Sequence, residues 1–280
     1  MHIKCWGSRG SIPVCGEEYL KYGGNTTCIG ITAESGDEVI IDAGTGIRRL
    51  GIDPYYKNIT EYNLLFTHFH WDHVIGFNFF KPILEKDKTL LIQNTRFASL
   101  FVKDILSDLM KPPFFPVTMD DLKADIKFMD DDHNGKFSIG SLDIETISLS
   151  HPGGGFGYKF KESGKSFIFL TDNELGFDHP GTGGFDSYLN FSKNADLLFH
   201  DGEFTPDEYP SRIGWGHSNY TDALDLAIKA RVKKLGLFHI NQERQDHEMD
   251  EIIDECKHII RHRHSSLKCF GVANNMEFHL

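Results

Sequence analysis

The stretch Asn63-Leu64-Leu65-Phe66-Thr67-His68-Phe69-His70-Trp71-Asp72-His73 joins a short apolar run to four ligand-type side chains within six residues. An apolar run of that length bounded by polar residues predicts a buried strand, and it puts His68, His70, Asp72 and His73 on the loop where the strand ends. Loops at strand ends are where a rigid scaffold presents chemistry. Neutral imidazole with carboxylate suits zinc, manganese or iron, and the lack of a cysteine in the cluster argues against a closed structural zinc site. The competing reading is a chance cluster of surface histidines, since the chain carries 15 His in 280 residues. The spacing His-x-His-x-Asp-His directly after a strand weighs against chance.

The length suits one large domain or two small ones and is enough to bury a substantial core. Hydrophobic residues at 40% and charged residues at 25% describe an ordinary globular chain. Met1-His2-Ile3-Lys4-Cys5-Trp6 has no continuous apolar segment, and no run approaches the ~18 apolar residues of a membrane span. The expectation is therefore neither signal peptide nor membrane contact, and a cytoplasmic location. Cys5, Cys15, Cys28, Cys256 and Cys269 are scattered and odd in number, which reads as thiols in a reducing compartment. A net charge of −12 argues against broad binding to large nucleic acids, which need a basic surface to displace counterions. Carboxylates that hold divalent metals offset part of that acidity, so a small phosphate ester is compatible with it.

Outward from the opening stretch, the apolar runs predict strands at 2–6, 28–33, 38–41, 137–139, 142–149, 157–160, 167–171, 196–201, 235–238 and 268–272. A short helix is expected near 47–50. Residues 80–132 read as a helical and loop insertion, with a helix over 95–110 capped by Asn94 or Thr95 and burying Leu100, Phe101, Ile105 and Leu109. Lys111-Pro112-Pro113-Phe114-Phe115-Pro116 ends it, because successive prolines forbid helix interior. A helix over 222–233 capped by Asn219 or Thr221 would bury Ala223, Leu224, Ala227 and Ile228. One over 248–261 would bury Met249, Ile252, Ile253, Cys256 and Ile260. Strands, then helix, then strands, then helix fit two sheets back to back with helices outside, in a single domain over 1–280 with one site along a shared edge.

Other strands also end in ligand-type residues: Ser150-His151, Thr171-Asp172-Asn173-Glu174, His200-Asp201-Gly202-Glu203, and Phe238-His239. His68, His70 and His151 form one candidate ligand set and Asp72, His73 and His239 a second, with Asp172 able to bridge them. Two ions about 3.5 to 4 Å apart would polarise a substrate and bring bound water from a pKa of about 15.7 towards about 7, a hydrolase chemistry. Near the start, Gly7-Ser8-Arg9-Gly10 and Gly23-Gly24-Asn25 are loops whose small residues admit a ligand. Arg9 is placed there to meet an anion, or equally to be a solvated arginine of a tight turn.

Taken together, His68 through His73, then His151, Asp172 and His239, resemble in order the metal motifs of the metallo-β-lactamase superfamily. The resemblance implies an αββα sandwich of two mixed sheets and a dinuclear centre of two divalent ions, zinc, manganese or iron. Trp215-Gly216-His217-Ser218, preceded by Leu198-Phe199-His200-Asp201, is similar to the phosphodiesterase branch that includes ribonuclease Z and its cyclic-phosphate relatives. Carried over, His217 is the general acid that protonates the leaving group, oriented by Asp201, with Glu203 as the rival partner because ribonuclease Z has glutamate where Asp201 stands. The catalytic set is then Asp72, His217 and Asp201, and Arg9, Asn25 and Ser218 are the candidate substrate contacts. Ribonuclease Z carries a long arm for tRNA between the ligands matching His151 and Asp172; here only 21 residues separate them (172 − 151). The resemblance therefore implies a small phosphodiester, a cyclic nucleotide or cyclic phosphate, attacked by a metal-bound hydroxide. RNA 3′-processing and thioester or lactone hydrolysis are the alternatives. A di-iron redox role fits less well, because that branch prefers Glu where His70 stands. Relatives often pair as dimers, which leaves a homodimer open as the assembly.

Overall fold

Many strands of this chain read as unbroken apolar runs because both of their faces are covered. In Leu197-Leu198-Phe199, the first and third side chains enter one hydrophobic cluster and the second enters another. A computed structural model describes residues 1–93, 99–129 and 135–280. The first sheet contains β1 (His2–Gly7), β2 (Cys28–Thr32), β3 (Glu38–Ile41), β4 (Glu61–Leu65), β5 (Thr89–Gln93) and β6 (Asp125–Met129). The second contains β7 (Lys136–Ile139), β8 (Leu142–Ser148), β9 (Phe156–Glu162), β10 (Lys165–Leu170), β11 (Leu197–Asp201), β12 (Lys234–Phe238) and β13 (Lys268–Gly271). The last strand, β14 (Glu277–His279), returns to the first sheet and pairs with β1 at its edge.

Ile3, Ile29, Ile31, Val39 and Ile41 of the first sheet meet Phe160, Phe167, Phe169, Phe199 and Phe238 of the second, and this is the central layer of the core. Outside the first sheet, α1 (Gly46–Leu50) and α3 (Ser99–Leu109) bury Ile47, Leu50, Val102 and Leu106 on Ile40, Leu64 and Ile92. Outside the second, α4 (Gly184–Phe191), α5 (Tyr220–Lys229) and α6 (Asp246–His262) cover Ile168, Leu170, Leu198 and Leu235. These layers make the expected αββα sandwich. Within each sheet the strands that matter for chemistry are parallel: β3 to β6 in one, β10 to β13 in the other. Their carboxyl ends are where open α/β sheets present ligands.

The helix expected over 222–233 is α5, which ends at Lys229, four residues earlier, and the one expected over 248–261 is α6, in which all five residues predicted to be buried are buried. Asn219 caps α5 by accepting from Thr221 N and Asp222 N, while Ile228 lies only half-buried beside the buried Leu226. Residues 80–132 differ from expectation, since they add β5 and β6 to the edge of the first sheet besides supplying α3. On α3 the buried stripe is Val102, Leu106 and Met110, and Phe101 is exposed. The sequence carries two adjacent apolar stripes there, and the sheet takes one while Phe101 of the other meets Phe69 near the site. The side chain of Leu100 and the proposed caps Asn94 and Thr95 lie outside the described residues. The helix α4 was unexpected because Gly181, Gly183 and Gly184 signal a loop, a case of tertiary packing overriding local propensity.

Phe199 stands at the middle of this packing, with its ring centroid 5.1 Å from Phe167, 5.9 Å from Phe238 and 5.5 Å from Phe278. Replacing it with Ala should cost about 3–5 kcal/mol of unfolding free energy, measured by urea denaturation. A loss below about 1 kcal/mol would contradict the central placement of this ring, because even a half-buried aromatic costs that much.

Candidate metal centre

Five strands, β3, β4, β8, β10 and β12, stop at the same edge of the sandwich, and the polar side chains follow within one to three residues. Asp42 follows β3, Thr67 and His68 follow β4, His151 follows β8, Asp172 follows β10 and His239 follows β12. Three of these, Asp42 (φ 60°), Asp172 (φ 51°) and His239 (φ 54°), adopt the left-handed conformation that non-glycine residues avoid. Such strain persists only where surrounding structure enforces it, and it gathers at functional sites. The single-turn helix α2 (Trp71–Val74) then brings Asp72 and His73 back to the same point.

Two groups of donors result. His68, His70 and His151 form one, and Asp72, His73, Asp172 and His239 the other, with the ligand atoms in each within 4.8 Å of one another. Asp172 lies between them: Oδ1 is 3.2 Å from His73 Nε2, while Oδ2 is 3.2 Å from His239 Nε2 and 3.6 Å from His68 Nε2. His151 Nε2 and His70 Nδ1 face each other at 3.0 Å. The residues of the two expected ligand sets are thus spatial neighbours, and the Asp172 carboxylate lies between them.

Four of the imidazoles are aimed by a contact on the opposite nitrogen. His73 Nδ1 meets Asp42 at 2.8 Å, His239 Nδ1 meets Glu203 at 2.9 Å, and His151 Nδ1 donates to Gly216 O at 2.9 Å. His68 Nδ1 is 3.1 Å from Thr67 Oγ1, whose hydroxyl donates to Asp42. A nitrogen tied in this way fixes the tautomer and presents Nε2 as a lone-pair donor. His68 Nε2 and His73 Nε2 are shut off from solvent and make no hydrogen bond, although carboxylate oxygens lie close by. A buried polar atom without a partner costs about 1–3 kcal/mol. Two donors about 2.0–2.2 Å from one tetrahedral ion would themselves be about 3.4 Å apart, so the observed spacing fits divalent metal ions.

The electrostatics agree. Burial pushes His68 and His70 below the ordinary histidine range and His151 to about 4, so these rings stay neutral, as ligands must. Burial also disfavours charge on His73 and His239, yet Asp72 and Asp172 beside the first, and Asp172 beside the second, push both well up. The carboxylates there call for positive charge. A proton supplies it in the metal-free protein, and a cation can replace that proton.

His217 stands next to this centre, its ring stacked on His239 at 4.6 Å between centroids. Its Nδ1 is 2.7 Å from Asp201 Oδ2 and 3.3 Å from Glu203 Oε2. Asp201 is thus the closer partner, while Glu203 is committed to His239 Nδ1 and accepts from Asn241 Nδ2 at 2.8 Å. Burial lowers the pKa of His217, but the two carboxylates outweigh it and push it up to about 9.

The three expected substrate contacts take other places. Arg9 is fully buried, and its guanidinium donates to the carbonyls of Gly23, Asn241 and Arg244, so it clamps three loops and does not meet an anion. Ser218 is buried, donating to Asn173 O and accepting from Leu175 N. Asn25 Nδ2 reaches Trp6 O on β1 at 3.4 Å. In each case a backbone group brought in by the fold takes up the side chain. Two residues went unassigned in the sequence. Asp42 carries the same signal as Asp172, an acid at the end of an apolar strand. Glu174, fully buried, accepts from Gly214 N, Gly216 N and Tyr209 Oη and faces His179 Nε2, which fixes the loop leading to His217.

Residues 38–240 match the beta-lactamase superfamily domain, and with this centre the chain belongs to the metallo-β-lactamase superfamily. Among its relatives, ribonuclease Z of Sulfurisphaera tokodaii is 25% identical over 256 residues, 71% of this chain and 82% of that protein. The metallo-beta-lactamase fold protein YhfI of Bacillus subtilis superposes with a TM-score of 0.72 at 18% identity, over 99% of this chain and 98% of that one. The short form of human tRNase Z gives 0.63 at 16% identity, over 100% and 99%. The chain is a metal-dependent hydrolase that resembles the ribonuclease Z-like, phosphodiesterase branch. Among the described residues no helix is long and apolar enough to cross a membrane.

Removing the Asp42 carboxylate frees the His73 ring to turn. Asp42→Ala should weaken metal binding about 10- to 100-fold, read by competition with a chromophoric chelator. Unchanged affinity would show that Asp42 does not orient a ligand.

Proposed function

We propose that this protein hydrolyses a small phosphodiester, a cyclic nucleotide or other cyclic phosphate, with His217 as general acid. His68, His70 and His151 would hold one divalent ion and Asp72, His73 and His239 the other, with Asp172 between them; zinc, manganese and iron all suit these donors. Two such ions supply Lewis-acid polarisation of the phosphoryl oxygens and a lowered pKa for water.

The chain's own residues do the rest. Because Nδ1 of His217 is taken by Asp201, Nε2 is the atom left to give a proton. As the phosphorus–oxygen bond to the leaving group breaks, that proton moves to the departing alkoxide oxygen, a transfer worth about 10²–10⁴ in rate. His217 lines a cavity of about 300 Å³ together with Phe204, Arg212 and Trp215, and its wall also carries Glu203, Glu208 and Glu243. Trp215 is 57% exposed, and the Arg212 guanidinium carbon lies 4.7 Å from the centroid of its ring. This pair takes the recognition role first assigned to Arg9, Asn25 and Ser218: an aromatic face for a flat group and a cation for an anionic one.

The observation that carries the choice of a small substrate is the hairpin between His151 and Asp172. β9 and β10 are joined directly, with Glu162 opposite Lys165 and only Ser163 and Gly164 in the turn. That interval holds no arm long enough to grip tRNA. RNA 3′-processing is the second reading, favoured by the ribonuclease Z relatives. The five free cysteines support a reducing, cytoplasmic setting.

The test is turnover by metal-loaded enzyme on 3′,5′- and 2′,3′-cyclic nucleotides, bis(p-nitrophenyl) phosphate, pre-tRNA and a thioester. Cyclic nucleotides should be cleaved, and His217→Ala should lose about 10²–10⁴-fold on them. The loss on bis(p-nitrophenyl) phosphate should be much smaller, because p-nitrophenolate leaves without a proton. Activity confined to the thioester would overturn the reading, and activity confined to pre-tRNA would replace it with the second.

A further inference from the structure

We infer that a transition-metal site, separate from the catalytic centre, lies where β14 pairs with β1 and is built from His2, Glu277 and His279. Side chains two apart on a strand share a face. His2 and Lys4 therefore project together from β1, as Glu277 and His279 do from β14. The register sets His2 opposite His279 and Lys4 opposite Glu277, so the three ligand types meet on one face of the sheet edge. The two imidazole rings are stacked 4.5 Å apart at 16°, so a turn of the exposed His279 ring is needed for both nitrogens to face one ion. One donor atom from each of the three residues lies within 4.8 Å of the others.

The state of His2 carries the argument beyond proximity. Its Nε2 is closed off from solvent and makes no hydrogen bond, although Glu277 Oε2 is 3.4 Å away. That distance matches the separation of about 3.4 Å expected for two donors on one tetrahedral ion. Lys4 is the natural competitor for the carboxylate, but its Nζ takes Oε1 at 2.9 Å and leaves Oε2 for the ion. The Lys4 charge is further occupied by Asp53 at 3.5 Å and by the Trp6 ring at 4.2 Å.

Two imidazoles and one carboxylate suit zinc, nickel or copper(II), with water completing the shell. None of the three residues belongs to the catalytic centre, so the site acts on the fold and not on turnover. β14 is held to β1 by three residue pairs, and an ion across them staples this short edge strand in place.

The test compares wild type, His279→Ala and Glu277→Gln after equilibration with buffered micromolar Zn²⁺. Metal content, thermal midpoint with and without Zn²⁺, and hydrolysis of bis(p-nitrophenyl) phosphate are recorded for each. Wild type should retain one more equivalent of zinc than either variant, and Zn²⁺ should raise its midpoint a few degrees further, with hydrolysis the same in all three. Both substituted side chains are exposed at the sheet edge, and the circular dichroism of the zinc-free proteins checks that they fold alike. Equal zinc content and equal midpoint shifts across the three proteins would overturn the site.

Discussion

Five imidazoles and two carboxylates converge at one edge of the sandwich, and most of them are buried. Burying even one unpaired carboxylate costs several kcal/mol, and here His68 Nε2 and His73 Nε2 also face inward without a hydrogen bond. The surrounding structure answers this constraint. Asp42, Glu203, Thr67 and the Gly216 carbonyl hold the rings by their outer nitrogens, so the inner ones converge whether or not convergence is locally favourable. The parallel strands serve the same end, because only parallel neighbours bring successive carboxyl ends to one line. The strained backbone at Asp42, Asp172 and His239 is the local cost of turning these side chains into that line.

What the sequence disclosed follows from how local its signals were. His68 to His73 could be read because the ligands are close in sequence and follow an apolar run. His151, Asp172 and His239 are far apart, yet each repeats the pattern of a ligand directly after a strand. The sequence left Asp201 and Glu203 as rival partners for His217; the structure brings Asp201 nearer, at 2.7 against 3.3 Å, a difference no sequence pattern encodes. Arg9 and Ser218 misled because a polar residue in a glycine-rich or histidine-rich loop looks available. Whether it is available depends on carbonyls contributed by residues more than two hundred positions away in one case and about forty in the other.

The outer layers show the same division. α6 was legible because its apolar stripe is strict, and α4 was not because its glycines favour a loop. The two apolar stripes of α3 left its buried face ambiguous, and the sheet beneath resolved it. The loop from Tyr209 to Ser218 has no regular pattern at all. A buried acid, Glu174, two residues beyond Asp172, holds Tyr209, Gly214 and Gly216 of it, so the segment that carries a metal-ligand candidate also shapes the wall of the neighbouring cavity. The metal-ligand candidates and the cavity beside them are therefore not independent modules in this chain.

The turn at Ser163 and Gly164 is the exception to that coupling. It projects into solvent at the far end of β9 and β10, touches none of the ligand candidates, and joins the strands with the fewest residues a hairpin allows. Exposed turns of this kind tolerate insertion with little cost to the elements they join. An added segment there would extend the molecule's reach towards a large polymer while every metal-facing side chain kept its place. The length of this one hairpin can thus change without moving the ligand candidates, because the turn and the metal-facing edge lie at opposite ends of β9 and β10.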